Sequence, residues 1–272
     1  APELTQQGSN MVFAGEDDDP DTVAALSRLG YSQPRQVLAS IRGWHHGRYP
    51  AVRTPRAREL LTEVQVSLVT QLSETADPDG AFAGFDRFLA ALPAGVQLFS
   101  LLRANPGLLR LVADIMGTAP RLARVLARRS RLLDAVIDPR ALAVLPSAEE
   151  IDAAISSEFA TASDMQETLD RARVVGSEQS FLIGVRVLSG SINANQAGGA
   201  YALAAERMIA ALHGEVADEL HRAHGDVPGG EAVVIAMGKL GGREMTASSD
   251  LDLIVIYDFD PAAIQSDGAR PL

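Results

Sequence analysis

The stretch GKLGGREMTASSDLDLIVIYDFD, which begins at Gly238, gathers residue types that handle phosphate and metal ions. Asp250 and Asp252 are separated by one residue and lead straight into an aliphatic run. In an extended strand alternate side chains share a face, with α-carbons about 6.5–7 Å apart, so the two carboxylates would point the same way. Mg²⁺ is a hard cation that binds through one or two carboxylates and fills its remaining positions with waters and substrate phosphates. Two such ions clamp the attacking and leaving oxygens of an in-line displacement. Upstream, Gly241 and Gly242 offer a turn whose backbone N–H groups would approach a triphosphate with no Cβ in the way. Lys239 adds positive charge, and Ser248 or Ser249 a hydroxyl. Lys239 is also the only lysine of the chain, every other strong base being arginine. A compact ammonium suits phosphate as a point charge, whereas guanidinium prefers a bidentate fork. The stretch matches neither G-x-x-x-x-G-K-[ST] nor G-x-G-x-x-G. Taken alone, such glycines and aspartates also make an ordinary turn with two surface acids.

The elements that must position these residues follow from periodicity. Residues 1–20 read as an acidic linker, because GEDDDPD carries like charges and few apolar anchors. Residues 21–146 read as an all-helical domain. A helix over DTVAALSRLGY is expected to end at Gly30 and one over QPRQVLASIRGW at Gly43, while Leu60, Leu61, Val64, Leu68 and Leu72 share one stripe. Asn105 and Thr118 are capping candidates, Pro106 and Pro120 sit near helix starts, and Gly117 suits a left-handed helix end. Residues 147–272 read as helices followed by two strands. The last helix is expected from about Ala200 to His224, after a break at NANQAGG, burying Met208, Ile209, Leu212, Val216 and Leu220. EAVVIAM and LDLIVIY are short, β-branched and apolar on both faces, the pattern of buried strands.

Bulk properties narrow the classes. A chain of 272 residues with 47% hydrophobic content is long and apolar enough to bury a real core. The absence of cysteine removes disulfides, thiolate metal sites and thiol nucleophiles. A formal charge of −11 argues against general nucleic-acid binding. No uninterrupted apolar run reaches membrane-spanning length and the first residues lack a basic start followed by an apolar stretch, so a cytoplasmic protein is expected, with neither membrane nor nucleic acid as partner.

Strand, Gly-Gly turn and D-x-D on the next strand resemble the plan of polymerase-β-like nucleotidyltransferases. The full wording of the stretch closely resembles the G-K-L-G-G-x-E…S-D-x-D-L signature of the glutamine synthetase adenylyltransferase family, bifunctional enzymes with an adenylylating and an adenylyl-removing half. WHHGRYPAVRTPRARELLTE, FDRFLAALPAGVQLFSLLRANPGLLRLVADIMGTAPRLARVLARR and FLIGVRVLSGSINANQAGGAYALA resemble the helical region between the two halves and the lead-in to the second. The resemblance implies a mostly α chain: an all-helical domain followed by the incomplete start of a polymerase-β-like nucleotidyltransferase α/β domain of the adenylylating half. It implies Asp250 and Asp252 as catalytic, metal-binding residues, and Lys239, Gly241 and Gly242 as nucleotide-binding ones; Gly238 and Ser249 are expected to join them in binding nucleotide. It further implies Mg²⁺, ATP as AMP donor, a tyrosine of glutamine synthetase as acceptor, and a PII-type signal protein as regulator, in the service of nitrogen metabolism. A third carboxylate, usual in such sites, is expected beyond Leu272, since Asp258 and Asp260 follow too closely on the same strand; this makes the chain an excised piece expected to be inactive alone. The adenylyl-removing half, or a helical scaffold that binds glutamine synthetase or its regulator, are the alternatives.

Three further clusters have plain readings beside functional ones. Adjacent His45 and His46 diverge on a helix and read as helix-end residues rather than ligands. His221 and His224 suit a helix C-terminus. Arg121, Arg124, Arg128, Arg129 and Arg131 form a basic stripe that reads as a solvated face or as a surface for an acidic partner.

Overall fold

The computed structural model describes residues 11, 13, 18–129, 132–133, 142, 144–262 and 265–271. The chain divides into two compact units, Ala1–Pro139 and Arg140–Leu272. Its described residues are mostly helical, with one small two-stranded sheet among them.

The first unit contains α1 (Pro20–Arg28), α2 (Pro34–His45), a 3₁₀ turn (Pro50–Val52), α3 (Pro55–Ser73), α4 (Pro78–Ala91), α5 (Val96–Ala104), α6 (Pro106–Thr118) and α7 (Pro120–Arg128). Six of these helices start with proline, whose fixed φ and missing N–H suit the first turn. The expected stripe on α3 is buried in full. Its neighbours supply Phe82, Phe85 and Phe88 from α4 and Trp44 from α2, with Trp44 stacked on Phe82 at 5.3 Å between centroids. The Asp86 carboxylate accepts from both Trp44 Nε1 (2.8 Å) and Tyr49 Oη (2.9 Å), which satisfies two polar groups at the edge of this aromatic core. Tyr31 Oη donates to the Val69 carbonyl at 2.7 Å, and burial, then the nearby Asp79 charge, pushes its pKa up. Of residues 1–20, Met11 and Phe13 are buried and Asp18 pairs with Arg42, so these positions are anchored.

Several expected boundaries move. Helix α2 runs through Gly43 to His45, and the left-handed residue that follows is Gly47, at φ 75°. Gly117 stays helical; a Cβ there would sit 2.6 Å from Thr75 Cβ, so this glycine serves close packing rather than chain reversal. Asn105 does not cap α6 through its side chain, because its Nδ2 donates back to Leu101 O. Thr118 lies inside α6 and donates to Asp114 O.

The second unit packs α8 (Ala148–Phe159), α9 (Met165–Leu188) and α10 (Ala194–His224) together, followed by β1 (Glu231–Ala236), the single turn α11 (Gly238–Gly241) and β2 (Leu253–Asp258). Capping fixes the helix starts: Ser147 with Glu150, Asp164 with the Glu167 amide, and Asn193 with Gln196. The last box explains why α10 begins at Ala194 rather than near Ala200. It outweighs the helix-weakening pair Gly198–Gly199. Arg207 of α10 makes a two-pronged ion pair with Asp152 of α8, its Nε at 2.6 Å from Oδ1. Arg186 is buried and donates to the carbonyls of Val144 and Leu182.

Two burial expectations fail. Met208, Ile209 and Leu212 are half-buried, but Val216 and Leu220, farther along α10, are exposed. Strands β1 and β2 pair antiparallel, Glu231 opposite Asp258 and Ala236 opposite Leu253, yet their aliphatic side chains are largely exposed. Apolar pattern on two faces specifies a strand that wants a layer on each side, and the described residues cover neither.

Candidate functional site

The ladder delivers the two ends of the stretch to one place. Beyond the last pair, Ala236 with Leu253, the Met237 amide donates to Asp252 O at 2.8 Å. Gly238 follows at φ 51°, and a side chain there would collide with the Asp252 carboxylate. Only glycine combines this left-handed backbone with such an approach. Asp252 therefore stands directly over the entry to α11. Asp250 and Asp252 precede the strand instead of opening it, since β2 starts at Leu253. They remain exposed, two residues apart on the segment that enters the ladder.

Lys239 occupies the exposed second position of α11. The glycine pair differs from expectation. The Gly241 and Gly242 amides donate to Met237 O (2.9 Å) and Gly238 O (3.0 Å), so they close the helical turn rather than forming an open nest. What the pair provides is room: a Cβ on Gly241 would sit 2.6 Å from Ala236 O, which lets the turn fold back on the end of β1.

The turn ends in a Schellman motif. Arg243 N donates to Leu240 O (3.2 Å) and Glu244 N to Lys239 O (2.9 Å), with Arg243 at φ 57° where glycine is usual. Beyond it a hydroxyl-rich loop closes on itself. Ser249 Oγ accepts from the Thr246 amide (2.9 Å) and lies 3.0 Å from Thr246 Oγ1, so Ser249 shapes the lead-in to Asp250. Thr246 Oγ1 is also 3.4 Å from Ser248 Oγ.

Residues outside the polar pattern hold the turn in place. Leu240 and Met245 are buried in a cluster with Ile183 of α9, Ile192, and Ala197, Ala200, Tyr201 and Ala202 of α10. Gly198 of α10 lies under the Arg243–Glu244 backbone, where a Cβ would come 3.2 Å from Arg243 O. Leu240 and Met245 are the apolar letters inside GKLGGREM that could have revealed this docking; Gly198 carries no signal of its own without the fold.

Three histidines of the other clusters have hydrogen-bond partners. His45 Nε2 lies 2.6 Å from Gln65 Oε1, His221 Nδ1 2.8 Å from Asp226 Oδ1, and His224 Nδ1 2.7 Å from Arg270 O. No set of three His, Asp or Glu side chains among the described residues is grouped to enclose a metal. Leu122 and Leu126 face the core from α7, while Arg121, Arg124 and Arg128 are exposed and Arg129 is half-buried; Arg131 lies outside the described residues. No described helix is long and apolar enough to cross a membrane.

A family model described as glutamate-ammonia ligase adenylyltransferase matches residues 109–271, which takes in the chain from within α6 onward, including the stretch from Gly238. The chain belongs to this family. Among the adenylyltransferase relatives, the bifunctional glutamine synthetase adenylyltransferase/adenylyl-removing enzyme of Rhizobium meliloti is 45% identical over 269 residues, 99% of this chain and 27% of its own length. The enzyme of the same name from Mesorhizobium japonicum is 46% identical over 272 residues, 100% of this chain and 28% of its own length. That of Brucella suis is 44% identical over the same span. The chain thus spans about 27–28% of the length of the curated relatives it matches.

Proposed function

We propose that this chain supplies part of the nucleotide site of an adenylyltransferase that transfers AMP from ATP to a tyrosine of glutamine synthetase. The observation that carries the reading is the apposition of Gly238 and Asp252: the missing side chain of Gly238 admits the Asp252 carboxylate to the start of the turn, beside the only lysine of the chain. The donor set fits Mg²⁺, because two exposed carboxylates leave its other positions to waters and phosphate oxygens. When bound, the ion would neutralise charge building on the triphosphate. Asp250 and Asp252 would hold it, Lys239 would pair with a phosphate oxygen, and Gly238 would let the nucleotide approach the backbone. In the transfer, the tyrosine hydroxyl gives up its proton to solvent and its oxygen bonds to the α-phosphorus as the bond to pyrophosphate breaks. The chain's contribution is positioning and charge stabilisation.

The same reading assigns the region around β1 and β2 to the opening part of a polymerase-β-like nucleotidyltransferase domain. The apolar faces of the hairpin support this, since further layers of a longer polypeptide would cover them. Glutamine synthetase would be the protein substrate, a PII-type protein the regulator, and the cytoplasm the setting. A second reading, favoured by the two activities in the relatives' name, gives this site the adenylyl-removing reaction.

Calorimetric titration of Mg²⁺–ATP into this chain and into an Asp250→Asn, Asp252→Asn double variant tests the proposal. Metal-dependent binding lost in the variant is the expected result. Equal binding by both proteins would refute the site.

A further inference from the structure

The Arg243–Glu206 pair raises a question that the nucleotide site alone does not answer. Among the described residues Arg243 is the only non-glycine at positive φ. It occupies the left-handed position of the Schellman motif although Gly241 and Gly242 stand just before it and would take that conformation without strain. Its guanidinium reaches across to α10, where Nη2 donates to Glu206 Oε2 at 2.8 Å. Both side chains are more than half exposed, at 60% and 51%, so the pair adds little to global stability. A strained backbone residue tied to a neighbouring helix by a pair of little energetic weight makes sense as a device for fixing position.

Three holds then converge on one turn. Leu240 and Met245 bury their side chains in the α9–α10 cluster, on either side of Arg243 in sequence. Gly198 admits the Arg243–Glu244 backbone onto the surface of α10. Glu206, two helical turns farther along α10, holds the Arg243 side chain. The apolar contacts set how deep the turn sits, and the ion pair sets its rotation about that anchor. Rotation matters because Gly238 and Lys239 lie at the start of the same turn, and Gly238 abuts Asp252.

We infer that Glu206 of α10 is a positioning residue for the Gly238–Asp252 site, acting through Arg243 to hold the Gly238–Glu244 turn in register with the two aspartates. The inference rests on the nucleotide-site reading for its functional meaning, while the mechanical part stands on the turn alone. Neither Glu206 nor Arg243 needs to touch nucleotide for this role.

The test combines two measurements on the full chain. Hydrogen exchange of the Gly241, Gly242, Arg243 and Glu244 amides is compared between the wild type, Glu206→Gln, and the charge-reversed double variant Glu206→Arg, Arg243→Glu. Mg²⁺–ATP affinity and Tm are measured on the same proteins. Expected for Glu206→Gln are exchange faster by about three- to tenfold at these four amides, unchanged exchange elsewhere in α10, unchanged Tm and several-fold weaker affinity. Recovery of both exchange and affinity in the charge-reversed protein marks the pair, rather than either residue, as the cause. Unchanged exchange at the four amides in Glu206→Gln, or a loss of protection that spreads along α10 with a fall in Tm, would overturn the inference. If the wild type binds no Mg²⁺–ATP, it is the nucleotide-site reading that fails, and the exchange comparison still decides whether the pair positions the turn.

Discussion

At the scale of single residues, the described core depends on a few large side chains. Trp44 is fully buried, stacked on Phe82, edge-on to Phe85, and bonded through its indole to Asp86. Trp44→Ala should cost about 3–5 kcal/mol in chemical denaturation of the first unit. Trp44→Phe, which keeps apolar volume but leaves Asp86 with only the Tyr49 partner, should cost less than the alanine variant. Equal losses would mean that the Asp86 bond, rather than packing, carries the stability. Gly238→Ala tests the site at the same scale: the new methyl collides with the Asp252 carboxylate and strains a φ of 51°. Nucleotide titration should show binding weakened at least tenfold, with circular dichroism of the helices unchanged. The acidic pair, the lysine and the glycines stand out in the sequence because their chemistry is written in residue type, but the backbone role of Gly241 and Gly242, which close a helical turn instead of opening a nest, was not legible there. Nor were Glu206 and Gly198, because an acid and a glycine on a helix acquire meaning only once the turn lies against them.

Elements show the same division. Helix α3 was readable because its apolar spacing matches one face of a helix, and all five expected positions are buried. The start of α10 was misread because a glycine pair suggests a break, whereas Asn193 and Gln196 supply reciprocal caps that sustain the helix through it. Asn193→Ala should therefore cost about 1 kcal/mol in the second unit, measured by denaturant unfolding. At the start of α9, Glu167 bonds Arg171 and the Ser163 backbone and hydroxyl, and these contacts hold its carboxyl at about 2, well below the ordinary 4.5. A depressed acid stabilises the fold above its unfolded pKa and loses that contribution as pH falls through the folded value. Glu167→Gln should lower Tm at pH 7, and the gap to wild type should close between about pH 4.5 and pH 2. A gap that persists at pH 2 would assign the effect to something other than ionisation. Strands β1 and β2 were found correctly from β-branched runs, but their burial did not follow. Pattern encodes what a strand prefers to meet, and the meeting itself needs another layer of chain.

For the molecule as a whole, that mismatch sets its behaviour in solution. Val233, Ile235, Ile254 and Ile256 share one face of the hairpin, and Val234, Leu253, Val255 and Tyr257 share the other. An apolar two-stranded sheet with open faces and edges is a template for association. Sedimentation velocity should show concentration-dependent self-association of this chain. A double variant Val233→Lys, Ile256→Lys should remain monomeric over the same range, with the helical signal intact. Equal association in both proteins would place the sticky surface elsewhere.

The 31 residues of α10 make a rod about 46 Å long at 1.5 Å per residue. Near its beginning Gly198 and Glu206 engage the Arg243 turn, while at its far end His224 O accepts from Ser266 Oγ (2.6 Å) and Gly268 N (3.0 Å), binding the chain that leaves β2. One helix thus fastens the chain on both sides of the hairpin, at the Arg243 turn and again beyond β2. Between these two fastenings α10 carries one glycine, Gly214, which has no neighbour within 4 Å of where a side chain would begin and lies where the helix emerges from cover. Glycine in an exposed helix interior weakens the helix locally by about 1 kcal/mol relative to alanine, so between its two fastenings α10 is least rigid at Gly214.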